Sequence, residues 1–160
     1  MVSLAVGNAL DGRPTLSERG DFTAQQIAEF TSAAMHSSDH CSQAMGMQIT
    51  EIGPGHATVE MRVRQDYVNG QGYCHGGIIT CVADTAFAQA CNSYNRQTVA
   101  QGLSVEFVGS AMVDDVLLAV ALEQSRGKRT GVYQVMVYKS CGKLIAIFTG
   151  KSFERGGRIW

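Results

Sequence analysis

The sequence predicts an α+β fold in which a curled antiparallel sheet wraps a central buried helix, with a further helix on the N-terminal side. Three observations carry this reading: a capped amphipathic segment beginning near Thr23, two groups of segments whose apolar residues alternate with period two, and between those groups a stretch of about 17 residues that is apolar on nearly every side. A helix of the last kind has to be enclosed, and a curled sheet can enclose it.

In chain order, residues 1–20 carry Gly, Ser, Arg and Pro14 without periodicity and are expected to form a loose arm, leaving residues 21–160 as one domain. Thr23 and Gln26 then have the spacing of a capping box, with Phe22 and Ile27 placed as a hydrophobic staple. Ile27, Phe30 and Ala34 continue the apolar stripe. After Gly46 the period changes to two. A short strand is expected over residues 47–52, a turn at Gly53-Pro54-Gly55, and a half-buried strand in which Ala57, Val59, Met61 and Val63 alternate with polar neighbours. The central helix follows from Gly76 to about Asn92, carrying Ile78, Ile79, Val82, Ala83, Ala86 and Phe87. Beyond it Leu103, Val105 and Phe107 alternate with Ser104 and Glu106, and strands are expected over 116–122, 132–139 and 143–151, with turns at 125–128 and 141–142. Four consecutive strands joined by short turns suggest an antiparallel meander.

Composition narrows the function. Hydrophobic residues make up 45% of the 160 and charged residues 17%, against roughly 25% charged in an average soluble domain. Thirteen Lys+Arg against fourteen Asp+Glu give a net charge of -1, which provides no basic field for nucleic acid or anionic lipid. No apolar run approaches the ~18 residues of a membrane span, and the first 20 residues lack the pattern of a secretory leader. A soluble, cytoplasmic protein with no nucleic-acid or membrane partner is expected. The five cysteines, Cys41, Cys74, Cys81, Cys91 and Cys141, form no Cys-x-x-Cys pair. They are expected as reduced thiols serving as small hydrophobes. The four histidines lack ligand spacing, so no metal centre is expected.

One residue stands apart. From Tyr67 to Asn95 the chain carries a single formal charge, and it is Asp84, in the middle of the central helix. Burial disfavours an ionised carboxylate, so its pKa should rise, and a perturbed acid in an apolar surround is a candidate catalyst, the alternative being a structural Asp that caps a loop or pairs with a distant Arg. The helix start offers a second component. Cys74-His75-Gly76-Gly77 places two glycines where free N–H groups meet the positive end of the helix dipole. Those donors suit an oxyanion, although a tight entry turn would use the same residues. Asp84 lies eight residues beyond Gly76, or about 12 Å along a helix. A nucleophile and an oxyanion donor must both come within about 3 Å of the reacting group. If both act, they come from different protomers, and a two-fold interface would also cover the uncharged surface.

The run Asn69-Gly70-Gln71-Gly72-Tyr73-Cys74-His75-Gly76-Gly77, followed by Ala83-Asp84-Thr85-Ala86-Phe87-Ala88, resembles the hotdog-fold thioesterases. Asn92-Ser93, Gly127-Lys128 with Thr130-Gly131-Val132-Tyr133, and Gly150-Lys151-Ser152 narrow the resemblance to the PaaI-type thioesterases of phenylacetic acid degradation, over about residues 36–159. The resemblance implies a hotdog fold and hydrolysis of an acyl-coenzyme A thioester, with phenylacetyl or hydroxyphenylacetyl thioesters as substrates. It also implies a homo-oligomer, a tetramer made of two dimers with cross-subunit sites. By position it makes Asp84 the carboxylate that attacks the thioester or activates water, two roles that stay open. Gly76 would bind the carbonyl oxygen through its N–H, Asn69 would position water or the carboxylate, His75 would orient the loop or hydrogen-bond near the thioester, and Ser104 would assist the water. Gly77 and Thr85 would line the substrate site. Arg126, Lys128, Arg129 and Thr130 are placed for the nucleotide end of coenzyme A, whose phosphates call for cations. Coenzyme A is then part of the substrate, and no bound cofactor is implied. Two other classes share the fold: an enoyl thioester hydratase, for which His75 is the loop histidine, and a non-catalytic acyl-coenzyme A binding protein, which would not need Asp84.

Overall fold

A computed structural model describes residues 22–160, so the arm expected over 1–20 lies outside the described residues. Helix α1 spans Ala24–Ser38 and begins at the expected capping box: Gln26 N–H donates to Thr23 Oγ1 at 3.2 Å, and Thr23 N–H donates to Gln26 Oε1 at 2.9 Å. The Phe22 ring lies 5.0 Å from Phe30 and 6.1 Å from Trp160, so the aromatic contact at the helix entry reaches the far end of the chain. A short helix α2, His40–Ala44, leads into β1 (Gln48–Gly53) and β2 (His56–Arg62). On β2 and just beyond it Ala57, Val59, Met61 and Val63 are all buried, as the alternation requires.

Helix α3 occupies Gly76–Asn92, followed by β3 (Thr98–Phe107), β4 (Val116–Arg126), β5 (Thr130–Lys139) and β6 (Leu144–Glu154). The six strands form one antiparallel sheet in the order β1-β2-β4-β5-β6-β3. This corrects the expected four-strand meander. Only β4, β5 and β6 follow one another in space, while β3 crosses to the far edge and pairs with β6. A period-two pattern specifies a strand and its faces but not its neighbour.

The sheet curls around α3, whose Phe87 ring meets Tyr133 at 5.5 Å and Phe148 at 5.7 Å. The fit is close at Gly150, where a Cβ would stand 2.9 Å from the Phe87 ring, so only glycine lets strand and helix approach there. The helix is nonetheless not buried all round. Val82, Ala83, Ala86, Phe87 and Ala90 are buried, whereas Gly77 is exposed and Cys81, Asp84, Thr85 and Ala88 are only half-buried. The sheet covers one side of a helix, and this stripe is the side it leaves.

A second uncovered surface is the edge strand β3. Val105 is paired with Phe148 and Phe107 with Ala146, both fully buried, so Leu103, Val105 and Phe107 face the helix side of the sheet. Yet Leu103 is 48% and Phe107 51% exposed. The cysteine expectation also needs correction in part: Cys74 and Cys91 are buried, but Cys41 and Cys141 are exposed and cannot serve as core hydrophobes.

The chain end is latched by a buried residue that the sequence did not single out. Asn95, at φ 55°, accepts from Ile159 N–H at 2.9 Å and Trp160 N–H at 3.2 Å, and its amide donates to Trp160 O at 3.0 Å. Trp160 Nε1–H in turn donates to Thr31 Oγ1 on α1 at 2.9 Å. Asn95→Ala would leave these backbone groups without their partner and is expected to cost about 2–3 kcal/mol. A melting curve checks it, and an unchanged Tm would contradict the latch.

Candidate active site

Four N–H groups at an α-helix start have no intrahelical acceptor. At α3, three of them are satisfied. His75 N–H donates to Tyr67 O at 2.8 Å, Gly77 N–H to His75 Nδ1 at 3.0 Å and Ile78 N–H to His75 O at 2.9 Å. Gly76 N–H alone has no acceptor among the described residues. The dipole-activated donor at this helix start is therefore a single, identified group. The same bonds revise the expectation for Gly77, whose N–H is already committed to the histidine cap. Its remaining contribution is space, because a Cβ there would come within 3.3 Å of His75 Nδ1.

His75 is the N-cap of α3, in extended backbone, and its Nδ1 acts as acceptor. The neutral ring then carries its proton on Nε2. With one nitrogen capping the helix and the other protonated, His75 positions the loop and has no free lone pair with which to abstract a proton. Asn69 organises the loop before it: its Oδ1 accepts from Gln71 N–H at 2.9 Å and Tyr73 N–H at 3.2 Å. The amide Nδ2 of Asn69 makes no bond among the described residues and is left as a donor. Cys74 is no rival nucleophile. Burial, with a smaller contribution from Asp115, pushes its thiol up to about 11, and its Sγ lies 3.9 Å from the His75 carbonyl oxygen.

Asp84 stands on the uncovered stripe of α3. Its Oδ1 is buried without a hydrogen-bond partner, and no ion pair among the described residues includes it. Burial raises its pKa above the ordinary carboxylate value. Among the described residues Asp84 therefore makes no ion pair with an arginine, and its Oδ1 caps no backbone group. Thr85 beside it donates its hydroxyl to Cys81 O at 3.0 Å, which leaves only the oxygen lone pairs for another group.

The other predicted residues lie elsewhere in the chain. Ser104 is paired with half-buried Thr149 and alternates with Val105, so its side chain is on the face of β3 turned away from α3. Arg126, Lys128, Arg129 and Thr130 form the exposed β4–β5 hairpin at the opposite end of α3 from Gly76. There the Arg126 guanidinium stacks 3.9 Å from the Tyr94 ring and Arg129 stacks 4.6 Å from Phe153. Arg129 also donates to Glu154 O at 3.1 and 3.3 Å. Lys128 has no partner among the described residues. A cleft of about 360 Å³ runs beside this hairpin past Gln101, Thr130 and Lys151. A larger one of about 510 Å³ lies near Tyr94, Arg96 and Trp160, and neither is lined by Asp84 or Gly76. The chain therefore brings Asn69, His75 and Gly76 together, but holds Asp84 and the hairpin cations apart from them. Among the described residues no cluster of three or more His, Cys, Asp and Glu side chains could hold a metal ion.

The thioesterase superfamily model matches residues 71–146, which contain the helix start and Asp84. The chain is 40% identical over 126 residues to the acyl-coenzyme A thioesterase PaaI of Escherichia coli K12, covering 79% of this chain and 90% of that protein. Its fold superposes on the structure of the E. coli PaaI protein from the phenylacetic acid degradation operon with a TM-score of 0.84 at 37% identity, over 85% of this chain and 99% of the other. A Streptococcus mutans protein whose structure is bound to acetyl CoA matches with a TM-score of 0.68 at 25% identity, over 70% and 90% of the two chains.

Proposed function

The chain belongs to the thioesterase superfamily of hotdog-fold hydrolases, and from that premise we propose that it hydrolyses phenylacetyl- or hydroxyphenylacetyl-coenzyme A to the free acid and coenzyme A in cytoplasmic phenylacetate breakdown. The observation that carries the chemistry is the unpaired, buried oxygen of Asp84. The similarity to a thioesterase from a phenylacetic acid degradation operon supports the acyl group.

In this reading the thioester carbonyl sits against Gly76 N–H, which stabilises the oxyanion as the carbonyl carbon becomes tetrahedral. The Asp84 carboxylate either attacks that carbon, forming an anhydride that water then opens, or removes a proton from attacking water. The Asn69 amide holds the water or the carboxylate. His75 keeps the helix start in place. Asp84 comes from the second subunit, since eight residues of helix separate it from Gly76 by about 12 Å.

The edge strand supports such a dimer. Pairing β3 with a second β3 about a two-fold axis would cover Leu103 and Phe107 and continue the sheet. Phe107 lies against Gly76, and Thr98 at the other end of β3 borders the Arg126 and Arg129 hairpin. An antiparallel pairing would therefore set each helix start beside the hairpin of the other subunit, where Lys128 and the arginines can meet the phosphates of coenzyme A. Two such dimers would form the tetramer.

Hydrolysis of aryl-acetyl, benzoyl and straight-chain acyl-coenzyme A thioesters, followed by release of free thiol, tests the substrate. Preference for long chains would overturn the phenylacetate assignment. The pH profile tests the carboxylate. Only ionised Asp84 can act, and burial lifts its pKa, so kcat/KM is expected to rise with pH through an apparent pKa above the ordinary carboxylate value and then level off. A rate that stays constant down to about pH 4 would contradict this.

A further inference from the structure

The two strands of the β4–β5 hairpin are locked together just below its tip. Glu123 on β4 stands opposite Tyr133 on β5, and the register slips by one residue between Glu123 and Ser125. Such a bulge re-aims the side chains that follow it. Tyr133, 1% exposed, donates its hydroxyl to Glu123 Oε2 at 2.7 Å. That same oxygen lies 3.5 Å from Arg126 Nε, and the Arg126 guanidinium rests 3.9 Å from the centre of the Tyr94 ring. The guanidinium is thus held at its Nε edge and on one face. A buried phenol fixes the carboxylate, and the carboxylate fixes the arginine, whose Nη1 and Nη2 groups form a fork that can take two oxygens of a phosphate. Arg129 is held differently, by donating to the Glu154 carbonyl oxygen.

We infer that Tyr133 and Glu123 are positioning residues, which hold Arg126 ready for a phosphate at the nucleotide end of coenzyme A. The inference rests on the thioesterase reading above, because the nucleotide reaches the hairpin only as part of the substrate. Charge and position act in opposite directions here. By charge alone Glu123 repels a phosphate, so removing it would tighten binding. By position Glu123 tightens binding, because an arginine already oriented loses less side-chain freedom when the phosphate arrives. The direction of the change on removing Glu123 therefore separates the two roles.

The experiment compares phenylacetyl-coenzyme A with the phenylacetyl thioester of pantetheine, which has the same reacting group and no nucleotide. Thiol release is measured for the wild type, Glu123→Ala, Tyr133→Phe, Arg126→Ala and the Glu123→Ala/Arg126→Ala double variant. KM for the coenzyme A thioester is expected to rise about fivefold in Glu123→Ala, within the range of one charge-assisted hydrogen bond, and by less in Tyr133→Phe. Neither kcat nor the kinetics of the pantetheine thioester should follow this change. In the Arg126→Ala background Glu123→Ala should add nothing, since it acts through that arginine. Tyr133→Phe keeps every charge at the hairpin and the ring in the core, so it decides the matter if Glu123→Ala, which leaves the Tyr133 hydroxyl buried without its acceptor, lowers the melting temperature. A KM for the coenzyme A thioester that falls or stays constant, equal losses on the two thioesters, or losses that add to those of Arg126→Ala would overturn the positioning role and leave the thioesterase reading standing. No thiol release from either substrate by the wild type would overturn both.

Discussion

Asp84→Asn is expected to lower kcat at least about 100-fold, the scale of losing a general base, while leaving the fold as stable as wild type or more so. The two effects have one cause. The carboxylate is held in a position where burial disfavours its charge, and no cation among the described residues offsets this. Its folded-state pKa lies above the unfolded value. Between the two, the folded chain holds a proton that the unfolded chain releases, and stability therefore declines as pH rises through that window. Above the window the penalty is constant. Asparagine is nearly isosteric and never charged, so the variant should melt at or above the wild-type temperature at neutral pH. The difference should shrink as the pH falls below both pKa values. Thiol release measures the first effect and thermal melts at neutral and acid pH the second. Near-normal turnover would remove Asp84 from the mechanism, and a melting temperature lowered by several degrees would make the carboxylate a structural group.

The same residue shows what could be read from sequence. Asp84 was legible because charge is counted, not folded: one carboxylate in a long uncharged stretch is visible before any contact is known. The cap at Thr23 and the limits of α3 were legible because both depend on residues adjacent in the chain. The place of β3 was not, because pairing with β6 rather than β4 depends on how the sheet curls around Phe87 and Gly150. Nor was the Asn95 latch, whose partners lie 64 and 65 positions away. At the site, His-Gly-Gly marked a helix start, but which N–H remained free could be decided only once the imidazole was seen to accept from Gly77. Ser104 illustrates a different limit. Its strand was expected, and alternation alone put it out of phase with Val105 and Phe107, but only the pairing with β6 shows which of those two faces meets the helix.

The separation of Asp84 from Gly76 leads to the second large effect, in which two inactive variants restore each other. Gly76→Pro is suited to remove the free donor alone. Gly76 is the first residue of α3, where proline is favoured because its missing N–H has no intrahelical partner. His75 before it has φ -61° and ψ 135°, the extended conformation that a residue preceding proline adopts. The added carbons would meet the Phe107 ring, 3.0 Å from where a Cβ would stand, so the melting temperature and dimer content of the variant are measured before mixing. Loss of an oxyanion donor should lower kcat about 100-fold or more. Gly76→Pro and Asp84→Asn proteins, mixed in equal amounts and allowed to exchange subunits, should pair at random. About half the dimers are then mixed, and each has one site with both groups intact, so activity should return to about a quarter of wild type. If Gly76 and Asp84 of a single chain served one site, no mixed dimer would contain an intact site, and activity would stay at the level of the parents. Exchange must be shown separately, by mass spectrometry of differently tagged subunits. With exchange shown and no recovery, the cross-subunit site is wrong, whatever the single variants do.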